Sequence, residues 1–144
     1  MRLAITGLAE ARQRIERARV EEVMARALAE QAEKMAEAVR AGLSEAPGSG
    51  EHDRPWLRTG ALRDSIGAQV DGLQAVVGSS DPAAVYQEMG TSRMEARPFL
   101  APVAAATGEQ AARAIGAKVA EALGAGGAAQ SGASSASGSR SSDG

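Results

Sequence analysis

The chain has 144 residues, no cysteine and a formal net charge of −2 at pH 7, so it supports one domain, or one domain plus a tail. Without cysteine it forms no disulfide, thiolate metal site or cysteine nucleophile, and its small net charge argues against binding nucleic acid by phosphate neutralisation. No apolar run approaches membrane-spanning length and the N-terminal run is too short for a signal peptide, so we expect a soluble protein made and used without export.

Residues 8–43 predict one long amphipathic helix. They lack proline, contain glycine only at Gly42, and are rich in Ala, Glu, Arg and Leu, which favour helices. Large apolar residues recur near a 3.6-residue period, at Ile15, Val23, Met24, Leu28, Met35, Val39 and Leu43. We expect this helix to pack on its own domain, because large residues do not sustain the heptad repeat of a free coiled coil.

Residues 44–55 mix proline, glycine and charge and predict a loop, which Trp56 ends. We expect Trp56 to anchor the loop to the body of the protein, with insertion into a neighbour as the alternative. The only histidine, His52, lies between Glu51 and Asp53. Adjacent side chains point in different directions, so this cluster makes a poor metal or general-base site.

A β-hairpin is predicted next, with strands at residues 65–70 and 73–78, after a short helical turn capped by Thr59. Asp71 and Gly72 between the strands are typical of a two-residue turn, because both accept positive φ. An isolated hairpin is only marginally stable. We therefore expect it to pack on helices, to pair across a subunit boundary, or to gain a third strand from residues 91–95.

A short helix should follow the hairpin. Ser80 or Asp81 suits its cap, Pro82 its first position, and Gly90 its left-handed end. Beyond it, Pro98 favours an extended chain before the next helix. We expect this extended arm to dock on another molecule, because it would otherwise expose apolar side chains at its end.

The alanine-rich residues 102–123 predict a final helix that ends at Gly124. Residues 124–144 contain no large apolar side chain and predict a flexible tail. The chain is thus expected to consist of a domain at 1–123 and a tail at 124–144. Its predicted class is α+β: a long N-terminal helix, a β-hairpin with a possible third strand, a short helix and a C-terminal helix.

No arrangement of residues indicates catalysis. The sequence shows no histidine near a serine nucleophile, no phosphate-binding glycine loop and no metal-ligand spacing. Glu88 and Glu95 are carboxylates in the same segment, but acid–base work also needs a pocket and a shifted pKa. We expect no enzyme activity, no cofactor and no metal.

The order PAAVYQEMGTSRMEARPFLAPV at residues 82–103 resembles the neck, or head–tail joining, family of long-tailed double-stranded DNA phages and prophages, which includes tail-completion and minor tail proteins. The matching residues are Tyr86, Glu88, Met89, Gly90, Thr91, Arg97, Pro98, Phe99, Leu100 and Pro102. LRTGALRDSI at 57–66 resembles that family's Thr-Gly-x-Leu-x-x-Ser element. The order of elements corresponds over about residues 1–123. Met89 departs from the family, where an aromatic is common.

The resemblance implies a structural virion protein, assembled in the host cytoplasm, that forms a sixfold or twelvefold ring between the capsid portal and the tail. Its implied partners are other copies of itself and the neighbouring neck, stopper or tail-tube proteins. Contact with passing DNA would be passive, and no membrane would be involved. Head closure, tail termination and tail completion all remain open as the particular neck role.

Candidate interface residues are those of the arm, the short helix and the preceding loop. Arginine, methionine and aromatic residues are favoured at interfaces, and arginine makes bidentate contacts with carboxylates. The candidates are Trp56, Tyr86, Glu88, Met89, Gly90, Thr91, Arg93, Met94, Arg97, Phe99 and Leu100.

Two other classes of function compete with the neck hypothesis. One is a helical adaptor that binds a partner through residues 8–43. The other is a small nucleic-acid-associated regulator using four arginines whose charge is diluted by neighbouring glutamates: Arg12, Arg14, Arg17 and Arg19 beside Glu10, Glu16, Glu21 and Glu22.

Overall fold

The structure is a computed structural model that describes residues 7–44 and 60–131, with side chains described as far as residue 124 of the last helix. In chain order the elements are α1 (Leu8–Ser44), α2 (Ala61–Asp64), β1 (Ile66–Asp71), β2 (Gln74–Ser79), α3 (Ala83–Met89) and α4 (Ala101–Ser131). The predicted α+β class and the order of its elements are confirmed. Trp56, Thr59 and all of the predicted loop at 44–55 except Ser44 lie outside the described residues.

The two long helices, α1 and α4, form an antiparallel pair. Val20 near the start of α1 and Leu123 late in α4 line one surface depression, and Lys118 of α4 acts electrostatically on Glu30 of α1. The buried positions of α1 are small or branched, namely Ala27, Ala32, Ala36, Val39 and Leu43. Such residues allow a neighbouring backbone to approach closely, so α1 packs on its own chain as expected.

The hairpin is present, but its turn lies one residue later than predicted. Asp71 pairs with Gln74, so Gly72 and Leu73 form the turn. Gly72 has φ 56°, whereas Leu73 does not have a positive φ. This arrangement places a glycine at the first central position, as in type II′ turns, in contrast to the predicted Asp71-Gly72 pair. Leu73 therefore belongs to the turn, although it was predicted to begin the second strand.

Of the arrangements that the sequence left open for the hairpin, a third strand from residues 91–95 is not the one that forms. Among the described residues the sheet has only β1 and β2. Thr91 and Met94 instead pair with each other, since the Thr91 N–H donates to the Met94 carbonyl at 2.8 Å and the Met94 N–H donates to the Thr91 carbonyl at 3.3 Å. This closed turn occupies the backbone groups that a third strand would have offered to the sheet.

The last helix is longer than predicted, since α4 begins at Ala101 and continues through Gly124 to Ser131. Gly124 was expected to end it, but its φ is not positive and the helix continues. Glycine permits a helix ending without forcing one. Residues 132–144 of the predicted tail lie outside the described residues.

One small hydrophobic core joins the helices to the hairpin. Its buried members are Ala36, Val39, Leu43, Ile66, Ala84 and Phe99, and Leu62, Ala68, Val77, Leu100 and Val103 pack around it partly buried. Arg40 of α1 also reaches the edge of β1, where its guanidinium donates to the Ile66 carbonyl at 3.0 and 3.2 Å. The core thus lies where α1, the base of the hairpin, α3 and the start of α4 meet.

Candidate interaction site

The candidate site is built on α3, whose start is fixed by Asp81. The Asp81 carboxylate accepts a hydrogen bond from the Ala83 N–H at 2.8 Å, and the Asp81 carbonyl accepts one from the Ala84 N–H at 3.0 Å. Of the two predicted caps, Asp81 rather than Ser80 therefore fills the role. Pro82, with φ −57°, lies between this cap and the helix.

Gly90 ends α3 with a positive φ of 73°, as predicted. It also turns the chain back on itself, which was not predicted. A side-chain Cβ at this position would lie 2.7 Å from the Ala96 nitrogen and 2.8 Å from the Met94 carbonyl oxygen. Only glycine fits both the backbone conformation and this close approach. The returning chain is then tied to α3, because the Arg97 N–H donates to the Gln87 carbonyl at 2.7 Å.

The carboxylate of Glu88 joins α3 to the beginning of α4. One oxygen accepts hydrogen bonds from the Phe99 and Leu100 N–H groups at 2.8 and 3.0 Å, and the other accepts one from the Ala101 N–H at 2.9 Å. Backbone donors at a helix start lack partners within the helix, and the helix dipole favours a negative charge there. Glu88 is therefore a capping residue supplied from a different helix.

The surroundings of Glu88 favour its charged form. Partial burial acts to raise the pKa of the Glu88 carboxyl, but the hydrogen bonds from the Leu100, Phe99 and Ala101 N–H groups together outweigh it. Its pKa is consequently lowered from the ordinary value of 4.5. The carboxylate remains ionised at neutral pH, where it stabilises the junction.

Phe99 does not have the role that the sequence suggested. It was predicted to lie at the end of an exposed arm that docks on a neighbour, yet it is 4% exposed and belongs to the chain's own core. Leu100 beside it is partly buried against that core. The arm folds back because Gly90 reverses the chain and Glu88 holds its far end. Among the described residues of this core, Phe99 supplies the one aromatic ring.

The outward side of α3 carries an exposed apolar surface, which we call the α3 patch and define as Val85, Tyr86 and Met89. Their exposed fractions are 60%, 57% and 77%. Met89 follows Val85 by four residues and Tyr86 by three, and these spacings place it beside each of them on the helix surface. The α3 patch thus gathers the only Tyr of the chain and two large aliphatic side chains in contact with solvent.

The remaining candidates differ in their exposure. Thr91 and Arg93 are exposed, whereas Met94 and Arg97 are half-buried. Within residues 7–44 and 60–131, neither arginine has a carboxylate within salt-bridge distance. Trp56 lies outside the described residues. The structure therefore divides the predicted site into an inward set, Glu88, Gly90, Phe99 and Leu100, and an outward set that includes Tyr86, Met89 and Arg93.

The hairpin edge is one of the subunit contacts that the sequence predicts, and the structure adds a second exposed apolar surface at the end of the hairpin. Val70, Leu73 and Val76 are 39%, 49% and 66% exposed. Val70 lies on the same face of β1 as buried Ile66 and half-buried Ala68, and the sequence did not show that exposure increases towards the turn. Val85 was also absent from the predicted interface, although its place one residue before Tyr86 was a usable signal.

Neither a metal centre nor a membrane helix was found in the described part of the chain. It contains no group of three or more potential metal-ligating His, Cys, Asp or Glu side chains. Of the helices in the same residues, none is long and apolar enough to cross a membrane. No family model, curated protein or solved structure matches this chain.

Substituting Gly90 with alanine should destabilise the fold. A Cβ at Gly90 meets backbone atoms under 3 Å away, and positive φ adds strain, so we expect a loss of about 2 kcal/mol in the free energy of unfolding. Gly116→Ala is the matched control, because nothing lies within 4 Å of its Cβ position in α4. It should raise stability by about 0.5–1 kcal/mol. Urea unfolding monitored by circular dichroism measures both, and equal effects would contradict this role for Gly90.

Substituting Glu88 with glutamine should lower stability at pH 7 by about 1 kcal/mol, through weaker capping of α4. Because the pKa of Glu88 is lowered by folding, its contribution is complete above pH 4.5 and is lost as the pH falls through the folded-state pKa. The difference between wild type and Glu88→Gln should therefore shrink below pH 4.5. Unfolding curves from pH 7 to 3 measure it, with the exposed Glu109→Gln as the control. A difference that grows on acidification would refute the capping role.

Proposed function

We propose that this protein is a structural subunit of a phage neck, which associates with copies of itself into a ring between the portal and the tail. The α3 patch carries this proposal, because Val85, Tyr86 and Met89 are more than half exposed. The order of residues at 57–102, which resembles that of neck proteins, supports it independently.

The α3 patch has the physical properties of a docking surface. Aromatic residues and Met are enriched in interfaces, and a cluster of large apolar side chains on a small protein usually marks a contact site. Asp81, Glu88 and Gly90 hold α3 in one position. A partner therefore binds a preorganised surface and loses little conformational entropy on binding.

The charge distribution of the chain argues against tight binding to nucleic acid but is compatible with a ring through which DNA passes. The formal net charge is −2, and the arginines of α1 lie among carboxylates, as in the Arg12–Glu16 pair at 2.9 Å. Tight binding to DNA requires many unpaired cations on one surface. Passive contact during DNA passage requires none.

A helical adaptor remains the second candidate, because one observation favours it. Residues 7–19 at the start of α1 are all exposed, and Leu8 and Ile15 are each 70% exposed. The later part of α1 packs on the hairpin and α4. An adaptor would therefore have to bind its partner through the first turns of α1 rather than through the whole helix.

Replacing Met89 with aspartate, or Tyr86 with alanine, should abolish or strongly weaken ring formation without changing the melting temperature by more than about 2 °C. Both side chains are exposed in the single chain, so their loss removes apolar contact area from the association but little from the core. Mass photometry and sedimentation velocity give the subunit number, and circular dichroism gives the melting temperature. Phe99→Ala is unsuitable here, because it opens the core.

Ile15→Asp is the matched control, since Ile15 is equally solvent-exposed but lies on α1. It should leave the ring intact. A wild-type protein that stays monomeric at high micromolar concentration would exclude the neck proposal. Loss of association through Ile15→Asp, with no effect of Met89→Asp, would favour the helical adaptor.

A further inference from the structure

The far end of the hairpin forms a second surface, which we call the hairpin tip and define as residues 69–76. Seven of these eight residues are exposed, and Ala75 is intermediate. Val70, Leu73 and Val76 present apolar side chains there, and a shallow groove runs over Gln69 and Gln74 between them. A hairpin with exposed apolar groups on both sides of its end is suited to contact another molecule.

The hairpin tip has a simple charge pattern. Asp71 is the only charged residue between Ser65 and Ser80. No ion pair of Asp71 exists within the described ranges 7–44 and 60–131. The tip is therefore an apolar surface with a single unpaired negative charge.

The turn that follows α3 carries the opposite charge. Arg93 lies in the turn closed by Thr91 and Met94 directly after α3 and Gly90, is exposed, and pairs with no carboxylate of the described residues. Glu95 is exposed nearby but lies beyond salt-bridge distance of Arg93. The α3 patch and the hairpin tip thus match each other as two apolar surfaces that carry charges of opposite sign.

The two surfaces lie at opposite ends of the hairpin within one molecule. Ile66, at the base of β1, shares the core with Ala84 of α3, whereas the turn at Gly72 lies at the far end of the six-residue strands. Six residues of strand span about 20 Å. The tip of one copy is therefore kept away from its own α3 patch but is free to reach that of another copy.

We propose that the hairpin tip of one copy docks on the α3 patch of the next, with Leu73 and Val76 against Tyr86 and Met89, and Asp71 facing Arg93. This inference rests on the proposed function and names the two halves of its subunit contact. Different surfaces of identical chains then meet head to tail, which produces a closed ring when the rotation closes. Apolar contacts provide area, while the opposite charges fix the orientation.

Cysteine cross-linking tests this arrangement without background, because the natural chain has no cysteine. The double variant Leu73→Cys with Met89→Cys should give a ladder of disulfide-linked oligomers on non-reducing gels under mild oxidation. A mixture of the two single variants should give linked dimers, whereas either single variant alone should give almost none. Leu123→Cys is the matched control for Met89→Cys, since Leu123 is 58% exposed on α4 and should not link to Leu73→Cys.

Charge exchange provides a second measurement on the same contact. Asp71→Arg and Arg93→Asp should each weaken association roughly threefold to tenfold, because each places like charges opposite one another. The double variant Asp71→Arg with Arg93→Asp should recover the wild-type association constant to within roughly twofold. Sedimentation velocity at low ionic strength, where charge effects are least screened, measures all four proteins.

The possible outcomes separate this inference from the proposed function. A ring that forms without a link between positions 73 and 89 overturns the inference and leaves the neck proposal in place. Efficient linking of Met89→Cys to itself shows a symmetric face-to-face contact and also overturns it. A protein that remains monomeric throughout overturns both. Linking between 73 and 89 together with charge-exchange recovery supports both.

Discussion

The hydrogen bonds from the start of α4 to the Glu88 carboxylate are the interaction on which the arrangement of the candidate site depends. The first N–H groups of a helix have no partner within it. The Glu88 carboxylate accepts hydrogen bonds from three N–H groups in this region, which lie 11 to 13 residues after it in the chain. Gly90 makes this possible, because it reverses the chain directly after Glu88. Glu88 and Gly90 thereby join α3 to the start of α4, while Ala84 packs α3 against the core.

The composition of the core explains why this junction matters. Alanines such as Ala36 and Ala84 bring backbones close together but bury little area each, so the core gains much of its area from Phe99. The segment was predicted to extend away from the domain. Its Phe99 side chain instead packs into the core and holds the segment against the domain. Of the described residues, Tyr86 is left as the only aromatic available for an exposed surface.

Local rules predicted the elements well but failed where distant residues compete. Composition and periodicity were enough for α1, and cap and breaker residues located α3. The turn lies one residue later than predicted, because only its first central residue, Gly72, has a positive φ and Leu73 can therefore take the second position. No third strand forms, because the backbone groups of Thr91 and Met94 hydrogen-bond to each other. The capping role of Glu88 has no local signal, since its partners follow by more than ten residues. Tyr86, Met89 and Phe99 were predicted as site residues and Val85 was not, and only three-dimensional packing separated buried Phe99 from exposed Met89.

Buried and exposed site residues lie within one short segment, so substitutions there can test folding and assembly separately. A change at Glu88 or Gly90 alters the position of the α3 patch without removing any of its side chains, so any effect on assembly must come through lost stability or a shifted α3. A change at Tyr86 or Met89 removes contact area while the core remains closed, because both side chains already face solvent in the single chain. A contact between subunits depends on the second class of residue, whereas the fold of the single chain depends on the first.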